Sequence, residues 1–476
     1  MHTGPAERIF SPSRQRWFLL GLGLLFVVCS VQYGFKARGS GAHPNRSAIL
    51  RWGDALQHVT DEDIYQHYAY PNPPIMALIL RPLAYLSPLA RSLCWYYLKL
   101  AMTVIAVYWV FRLVEEPGHP FPAWAKALAV LLSLRPILGD LSHGNVNLFI
   151  LFLVAAGLYA FHRGRDALAG LSLALAIACK ITPALFVPYF LWKRAWKTLA
   201  GCLAGLILFL VLIPGWFLGH EANLQLLNSW TRQMITPFVL KETVTSDHPN
   251  QSLPGLVFRL GTHSPSFLDE KGEPARYDNL ATLSPSQAGW IIKGCMALFA
   301  VLIMGSCRTP TANRNGWRLA AEFSLVILGM LLFSERTWKH HCVTLILPFA
   351  VLVYYFAACR PGILLRIYLI ASLAVALLLM TSTSTTGVSE TVDEMAKMAQ
   401  VYGAYVWAHF VLVTALIVLL RRPEAEAGSL APEWTAAHRS AVCHLRSDEP
   451  SGSGVPFHVG NRGEASAHGV LGDRSG

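Results

Sequence analysis

The sequence predicts an all-α polytopic membrane protein, and three observations carry that expectation. Of the 476 residues, 54% are hydrophobic and only 14% charged, with a mean hydropathy of +0.41. A soluble domain carries about 25% charged residues. Apolar runs of about 20 residues, the length that crosses a hydrocarbon core of about 30 Å, recur along the chain. The Lys and Arg residues behind the formal net charge of +11 gather in short turns between those runs, as cytoplasmic loops require. In a soluble chain that charge would point to nucleic acid; here the turns account for it, and no nucleic-acid partner is expected. The nine cysteines show no metal or disulfide spacing, and all but Cys443 lie in or beside apolar segments, where free Cys behaves as a small hydrophobe.

Residues 1–16 are short and basic, with Arg8, Arg14 and Arg16 ahead of the first apolar run at 17–35. That run is too long for a signal-peptide core and reads as a first membrane helix with a cytoplasmic N-terminus. Residues 75–89 are apolar but broken by Pro82 and Pro88, and suit an interfacial or re-entrant segment. Further spans are expected at 93–114, 123–134, 148–161, 167–179, 183–192, 199–218, 288–306, 319–333, 343–358, 364–380 and 401–420, about twelve in all. The short ones at 167–179 and 183–192 suit a broken pair. Residues 17–422 thus form one transmembrane domain. Residues 423–476 are rich in Ser, Gly, Glu, Arg and His and cannot bury enough surface to fold, so a disordered cytoplasmic tail is expected. Its His458 and His468 are not spaced as metal ligands.

Orientation can be tested independently of the count. With the N-terminus inside and strict alternation, the inner turns are 162–165, 193–197, 307–318, 359–360 and 421–422, and each carries basic residues. The polar segments then collect on the outer face: 36–74, 135–147, 220–287 and 334–341. One face gathering them argues for a site at the outer boundary of the plasma membrane, with both termini cytoplasmic.

The densest chemistry lies in Asp61-Glu62-Asp63-Ile64-Tyr65-Gln66-His67-Tyr68-Ala69-Tyr70-Pro71-Asn72-Pro73-Pro74. Carboxylates beside a membrane cost free energy unless hydrated or used, so the cluster is a candidate site; a hydrated loop without chemistry is the competing reading. The prolines fix φ and remove donors, which stiffens the loop's end. Lys180 stands between two short apolar segments, where an unpaired charge costs about 2.5–3.5 kcal/mol. Either it meets an anion there or its stem snorkels to the interface. His340 and His341 are adjacent, diverge by about 100° on a helix and are poorly placed to share one ion. Tyr65, Tyr68, Tyr70 and Trp338 suit stacking on a polyol, although an interfacial aromatic belt uses the same residues.

Several short motifs, taken in order, resemble glycosyltransferase family 87. They are the loop ending Tyr70-Pro71-Asn72-Pro73-Pro74, the helix start Gly144-Asn145-Val146-Asn147, and the turn Ala178-Cys179-Lys180-Ile181-Thr182-Pro183 closing at Lys193-Arg194-Ala195-Trp196. Asn250-Gln251-Ser252-Leu253 with Arg259, and Trp338-Lys339-His340-His341 before a Pro-containing span, complete the set. The similarity covers roughly residues 15 to 420. It implies a GT-C-like transmembrane bundle of about twelve helices with outward-facing catalytic loops. It also implies a hexosyltransferase, with mannose the expected sugar, that takes a polyprenyl-phosphate-linked donor and a lipid or glycan acceptor. One departure matters. About eighteen residues before the tyrosine matched by Tyr65 the family has an Asp, and this chain has Ser47 with Asn45 beside it. Asp61-Glu62-Asp63 would satisfy the paired acidic motif that GT-C enzymes carry in this loop, and Asp54 is a second candidate.

The implied chemistry needs two kinds of group. A sugar on a polyprenyl phosphate is already activated, so a carboxylate must take the acceptor's proton as general base. Cations must stabilise the charge growing on the leaving phosphate. Asp61 or Asp63 suits the first role, with Asp140 or Glu335 replacing or assisting them. Lys180, Lys339, His340, His341 and Arg259 suit the second, and Tyr65, Tyr70, Asn145, Asn250, Gln251 and Trp338 complete the expected substrate contacts. No cofactor is implied, and assistance by a divalent metal ion stays open. Two other classes make different demands. A lipid or solute transporter or flippase of the cell envelope would show repeats and midplane polar residues in both halves, and no obvious repeat is present. A non-catalytic envelope scaffold would leave the acidic loop and Lys180 without a use.

Overall fold

The computed structural model describes residues 11–38, 47–239, 243–269, 272–359, 361–385, 387 and 389–422. The first ten residues, Asn45, and the expected tail 423–476 with Cys443, His458 and His468 lie outside them.

Helices occupy the predicted spans. Those that are long and apolar enough to cross a membrane are Pro12–Arg38, Pro88–Val114, Trp196–Leu218, Pro285–Ser306, Lys339–Ala358 and Ile363–Ser382. Glu390–Val401 and Ala404–Leu420, bent by 55° at a break, make a seventh if taken as one span. Asn147–His162, Asp166–Cys179 and Trp317–Leu332 have 16, 14 and 16 residues. At about 1.5 Å per residue they reach roughly 21–24 Å, short of the ~30 Å core. Ala123–His143 is long, but Lys126, Arg135 and Asp140 interrupt its apolar run. Length and composition therefore give six crossing helices among the described residues, or seven, and do not by themselves reach the expected twelve.

Local chemistry sets the boundaries. Prolines open Pro74–Ala84, Pro88–Val114 and Pro285–Ser306, where their missing N–H costs nothing. Ser284 and Gln287 form a reciprocal capping box on the last of these. Pro74–Ala84, at 11 residues, is too short to cross, in keeping with an interfacial segment. Among the described residues the only paired strands are Phe267–Leu268 and Pro274–Arg276, antiparallel inside the long polar segment 220–287.

The bundle has a centre and a rim. In Trp317–Leu332 every residue but Arg318 is buried, and Ile346–Ala358 is buried along most of its length. The rim helices expose Trp17, Leu24, Trp216, Trp290, Leu364 and Leu378, as helices with lipid for solvent do. Asp166–Cys179 packs closely against Trp196–Ile207. A Cβ on Gly170 would collide with the Thr198 carbonyl oxygen, so a small residue is required there.

Polar contacts sort into two ends. At one, Lys193 pairs with buried Glu322 at 2.8 Å, Arg314 pairs with Asp166, and Arg318 donates to the Leu420 carbonyl at 2.9 Å. These are the basic turns. At the other, Trp230 donates to the Pro71 carbonyl at 3.0 Å, Asn250 to that of Glu335 at 2.9 Å, and Gln251 to that of Gln400 at 2.8 Å. The polar segments thus meet one another.

Candidate active site

The site grows from the turn between Ala123–His143 and Asn147–His162. Gly144 ends the first helix in the left-handed conformation, φ 64°, its N–H bonded to the Asp140 carbonyl at 3.1 Å. A Cβ there would collide with Ser47 Oγ and Tyr33 OH, so glycine is required for both reasons. Asn145 Oδ1 accepts from Val146 N at 2.7 Å, and the second helix starts at Asn147. This turn folds Asn147 back onto Asp140: Asn147 Nδ2 donates to Oδ1 at 2.8 Å and Leu148 N to Oδ2 at 3.3 Å. From helix Pro88–Val114, Lys99 Nζ donates to Asp140 Oδ2 at 3.2 Å and to its carbonyl oxygen at 2.7 Å. Lys99 and Asp140 are both fully buried. Two charges persist in such a place when each meets the other and the remaining lone pairs are bonded.

Lys180 arrives from the opposite side. Helix Asp166–Cys179 stops at this residue, whose backbone is extended (φ −158°, ψ 123°), and the chain re-enters a 3₁₀ turn at Thr182–Leu185. Pro183 contributes to the break, because it has no N–H to give the Cys179 carbonyl four residues back. The Lys180 ammonium donates to Asn147 Oδ1 at 2.5 Å. Beside it lies a small recess, or cleft, walled by Asn147, Lys180, Thr182, Ser334, Thr337, His341 and Thr344 together with the apolar Ile150, Met330 and Leu331, with no carboxylate in its lining. Thr344 is 4% exposed and its hydroxyl has no hydrogen-bond partner among the described residues. An ammonium, an imidazole and hydroxyls in a recess without acid suit a phosphate.

The two adjacent histidines diverge, with rings 88° apart. His340 stacks on His143 at 4.5 Å between centroids, and its Nε2 lies 3.3 Å from Asn145 Nδ2. His341 lines the cleft, and Trp338 stacks on it at 6.0 Å. Among the described residues no three His, Cys, Asp or Glu side chains are grouped as metal ligands.

Other expected site residues are used differently. The first-loop carboxylates do not line this cleft. Asp63 caps the short helix Ile64–His67 through Tyr65 N at 3.1 Å, and also accepts from Gln66 Nε2 at 2.9 Å and Ser229 Oγ at 2.5 Å. It ties the first loop to helix His220–Trp230. Asp61 is exposed and accepts from Thr60 Oγ1 at 2.9 Å. Tyr65 is 3% and Tyr70 0% exposed. Tyr65 donates to the Asn72 carbonyl at 2.7 Å, and Tyr70 packs edge-on against Trp52 at 5.5 Å. These two rings form the loop's own core and present no open face to a sugar, contrary to expectation. The loop still reaches the site indirectly, since helix Pro74–Ala84 packs on Asp166–Cys179, the helix that ends at Lys180.

Asn250, Gln251 and Arg259 brace the long segment. Asn250 Oδ1 accepts from Thr337 N at 2.9 Å, and Gln251 Oε1 from Tyr405 N at 3.3 Å. The Arg259 guanidinium donates to the carbonyls of Val401, Ser246, Asp247, Asn250 and Gln400. It faces carbonyls instead of the cleft, because irregular backbone leaves acceptors that must be paired. Lys339 Nζ likewise donates to the Thr383 carbonyl at 2.9 Å, and Glu335 Oε1 accepts from Thr245 Oγ1 at 2.7 Å.

Lys99 and Thr344 were not anticipated. Lys99 was the legible one: a lone cation inside an apolar span demands a partner, and Asp140 was the acid already in view.

Residues 70–334 match the model of glycosyltransferase family 87. That span holds Asp140, Asn147, Lys180, Asn250 and Arg259 and ends before His340. A polyprenol-phosphate-mannose-dependent alpha-(1-2)-phosphatidylinositol mannoside mannosyltransferase of Mycolicibacterium smegmatis is 27% identical over 364 residues, 73% of this chain and 75% of that protein. A mannosyltransferase of the same description from Mycobacterium tuberculosis is 31% identical over 137 residues, 26% of this chain and 32% of that protein.

Proposed function

Since this chain belongs to glycosyltransferase family 87, we propose that it moves a hexose, mannose by the reading put forward here, from a polyprenyl-phosphate donor to a lipid or glycan acceptor at the outer face of the plasma membrane. The observation that carries this reading is the acid-free cleft in which Asn147 holds the Lys180 ammonium beside His341 and Thr344. The polyprenol-phosphate-mannose dependence of the two mannosyltransferase relatives supports the donor class and the sugar. The basic turns at one end of the bundle support a cytoplasmic placement of that end, and with it the reading that the cleft faces outward within a GT-C-like arrangement of about twelve helices.

The transfer needs the acceptor hydroxyl to lose its proton as its oxygen bonds to the anomeric carbon. The bond from that carbon to the phosphate oxygen breaks, and the polyprenyl phosphate departs with the electron pair. Lys180, with His341 and Thr344 beside it, binds the phosphate and stabilises the charge that grows on it. No carboxylate lines the cleft, so the base must reach the acceptor hydroxyl from beyond it. Of the first-loop acids Asp61 is put forward, being exposed and lightly bonded, with Asp63 second because three donors already claim it. The reading invokes no resident metal, so chelator treatment should leave turnover unchanged, as a direct rate measurement would show.

The test is transfer by purified protein from a panel of radiolabelled polyprenyl-phosphate sugars to lipid acceptors. Labelled product from the mannose donor is expected. No product from any member of the panel would sink the proposal.

A further inference from the structure

The buried pair beneath the cleft has no task in the transfer as written. Asp140 does not line the cleft. Its carboxylate accepts from Lys99 Nζ, Asn147 Nδ2 and Leu148 N, while Asn147 Oδ1 accepts from Lys180 Nζ. Four side chains from three helices and the Lys180 turn therefore run in one line: Lys99, Asp140, Asn147, Lys180.

We propose that Lys99 and Asp140 are positioning residues that fix the amide of Asn147, so that its oxygen holds the Lys180 ammonium at the donor-phosphate position. A carboxamide has two ends of opposite chemistry, an acceptor oxygen and a donor NH2. Free to rotate, Asn147 would also turn its NH2 towards Lys180, where donor would face donor. An ionised Asp140 only accepts, so it takes the NH2 end and commits the oxygen to Lys180. Lys99, fully buried and bonded to both the carboxylate and the carbonyl of Asp140, keeps that carboxylate charged and in place. The nearby histidines are bonded elsewhere: His143 Nδ1 to the Gly139 carbonyl at 2.8 Å, and His340 Nε2 to Asn145 at 3.3 Å. Asp140 thereby leaves the list of bases and acts on catalysis through Lys180. The inference rests on the donor-phosphate reading of the cleft.

A double-mutant cycle with direct binding tests it. The probe is a short-chain polyprenyl phosphate, the leaving product, titrated by tryptophan fluorescence, with kcat and donor KM measured alongside. Lys180→Met should weaken binding about tenfold or more, as loss of a charged hydrogen bond does. Asn147→Leu should weaken it similarly, and the two together should lose no more than about twofold beyond Lys180→Met alone. Asn147→Leu removes no charge, so it carries the test even if Asp140→Asn, which strands Lys99, fails to fold. Additive losses in the pair, or Asn147→Leu binding within about twofold of wild type, would overturn the relay. So would a further fall in kcat from Asp140→Asn in the Lys180→Met background with binding unchanged, the behaviour of a base. Wild-type protein that ignores polyprenyl phosphate would overturn the donor reading and the relay with it, an outcome distinct from the others.

Discussion

Lys180 and Arg259 show how burial divides two cations of equal promise. Lys180 ends a helix and gives its ammonium to one amide oxygen beside the cleft. Arg259 is 0% exposed, and burial pulls its guanidinium down to about 10, which leaves it charged at neutral pH. Lys180→Met should therefore raise donor KM and lower transfer by about tenfold or more, read from initial rates. Arg259→Met should act on stability instead. It strands carbonyls whose pairing with a charge is worth roughly 1.5–3 kcal/mol each. A clear drop in melting temperature is expected, with donor KM little changed in the folded fraction. That Lys180 needs a partner was legible in the sequence, because a lone charge between apolar segments meets an anion or snorkels to the interface, and the structure gives it the Asn147 amide oxygen. The role of Arg259 was not, because no spacing reveals which carbonyls a loop leaves unpaired. Tyr65 and Tyr70 were misread for a related reason: an aromatic-rich loop can use its rings to pack itself, and composition does not separate that from a sugar platform.

At the scale of elements, the turn at Gly144 does the most to build the site. It stops Ala123–His143, starts Asn147–His162 and brings residue 147 back onto residue 140. Gly144→Ala pays a left-handed strain of roughly 1–2 kcal/mol and adds the collision with Ser47 and Tyr33. Lower thermal stability together with weakened donor binding is expected. Stability loss with unaltered donor KM would detach the turn from the site. Helix positions followed closely from apolar runs and prolines, since both signals are local. Whether the 14- and 16-residue helices cross was not legible, because burial among neighbours, and not hydropathy, decides how a short helix sits.

For the whole molecule, the sorting of polar contacts into two ends is the feature that alternation of basic turns anticipated. Lys193, Arg314 and Arg318 meet partners at one end, and at the other Trp230 meets Pro71, Asn250 meets Glu335 and Gln251 meets Gln400. In a cysteine-free background, single cysteines at Glu62 and Glu273, both exposed, should react with an impermeant maleimide in intact cells. One at exposed Arg308 should react only after permeabilisation. The reverse pattern would turn the cleft to the cytoplasm. The identity of the donor is the central claim, and one comparison tests it most directly. Purified wild-type protein and Lys180→Met are each given radiolabelled mannose as the polyprenyl phosphate and, separately, as the nucleotide sugar. Transfer from the lipid-linked donor alone, strongly reduced in Lys180→Met, is the predicted result. Transfer from the nucleotide sugar without the lipid donor, or equal rates for the two proteins, would contradict it.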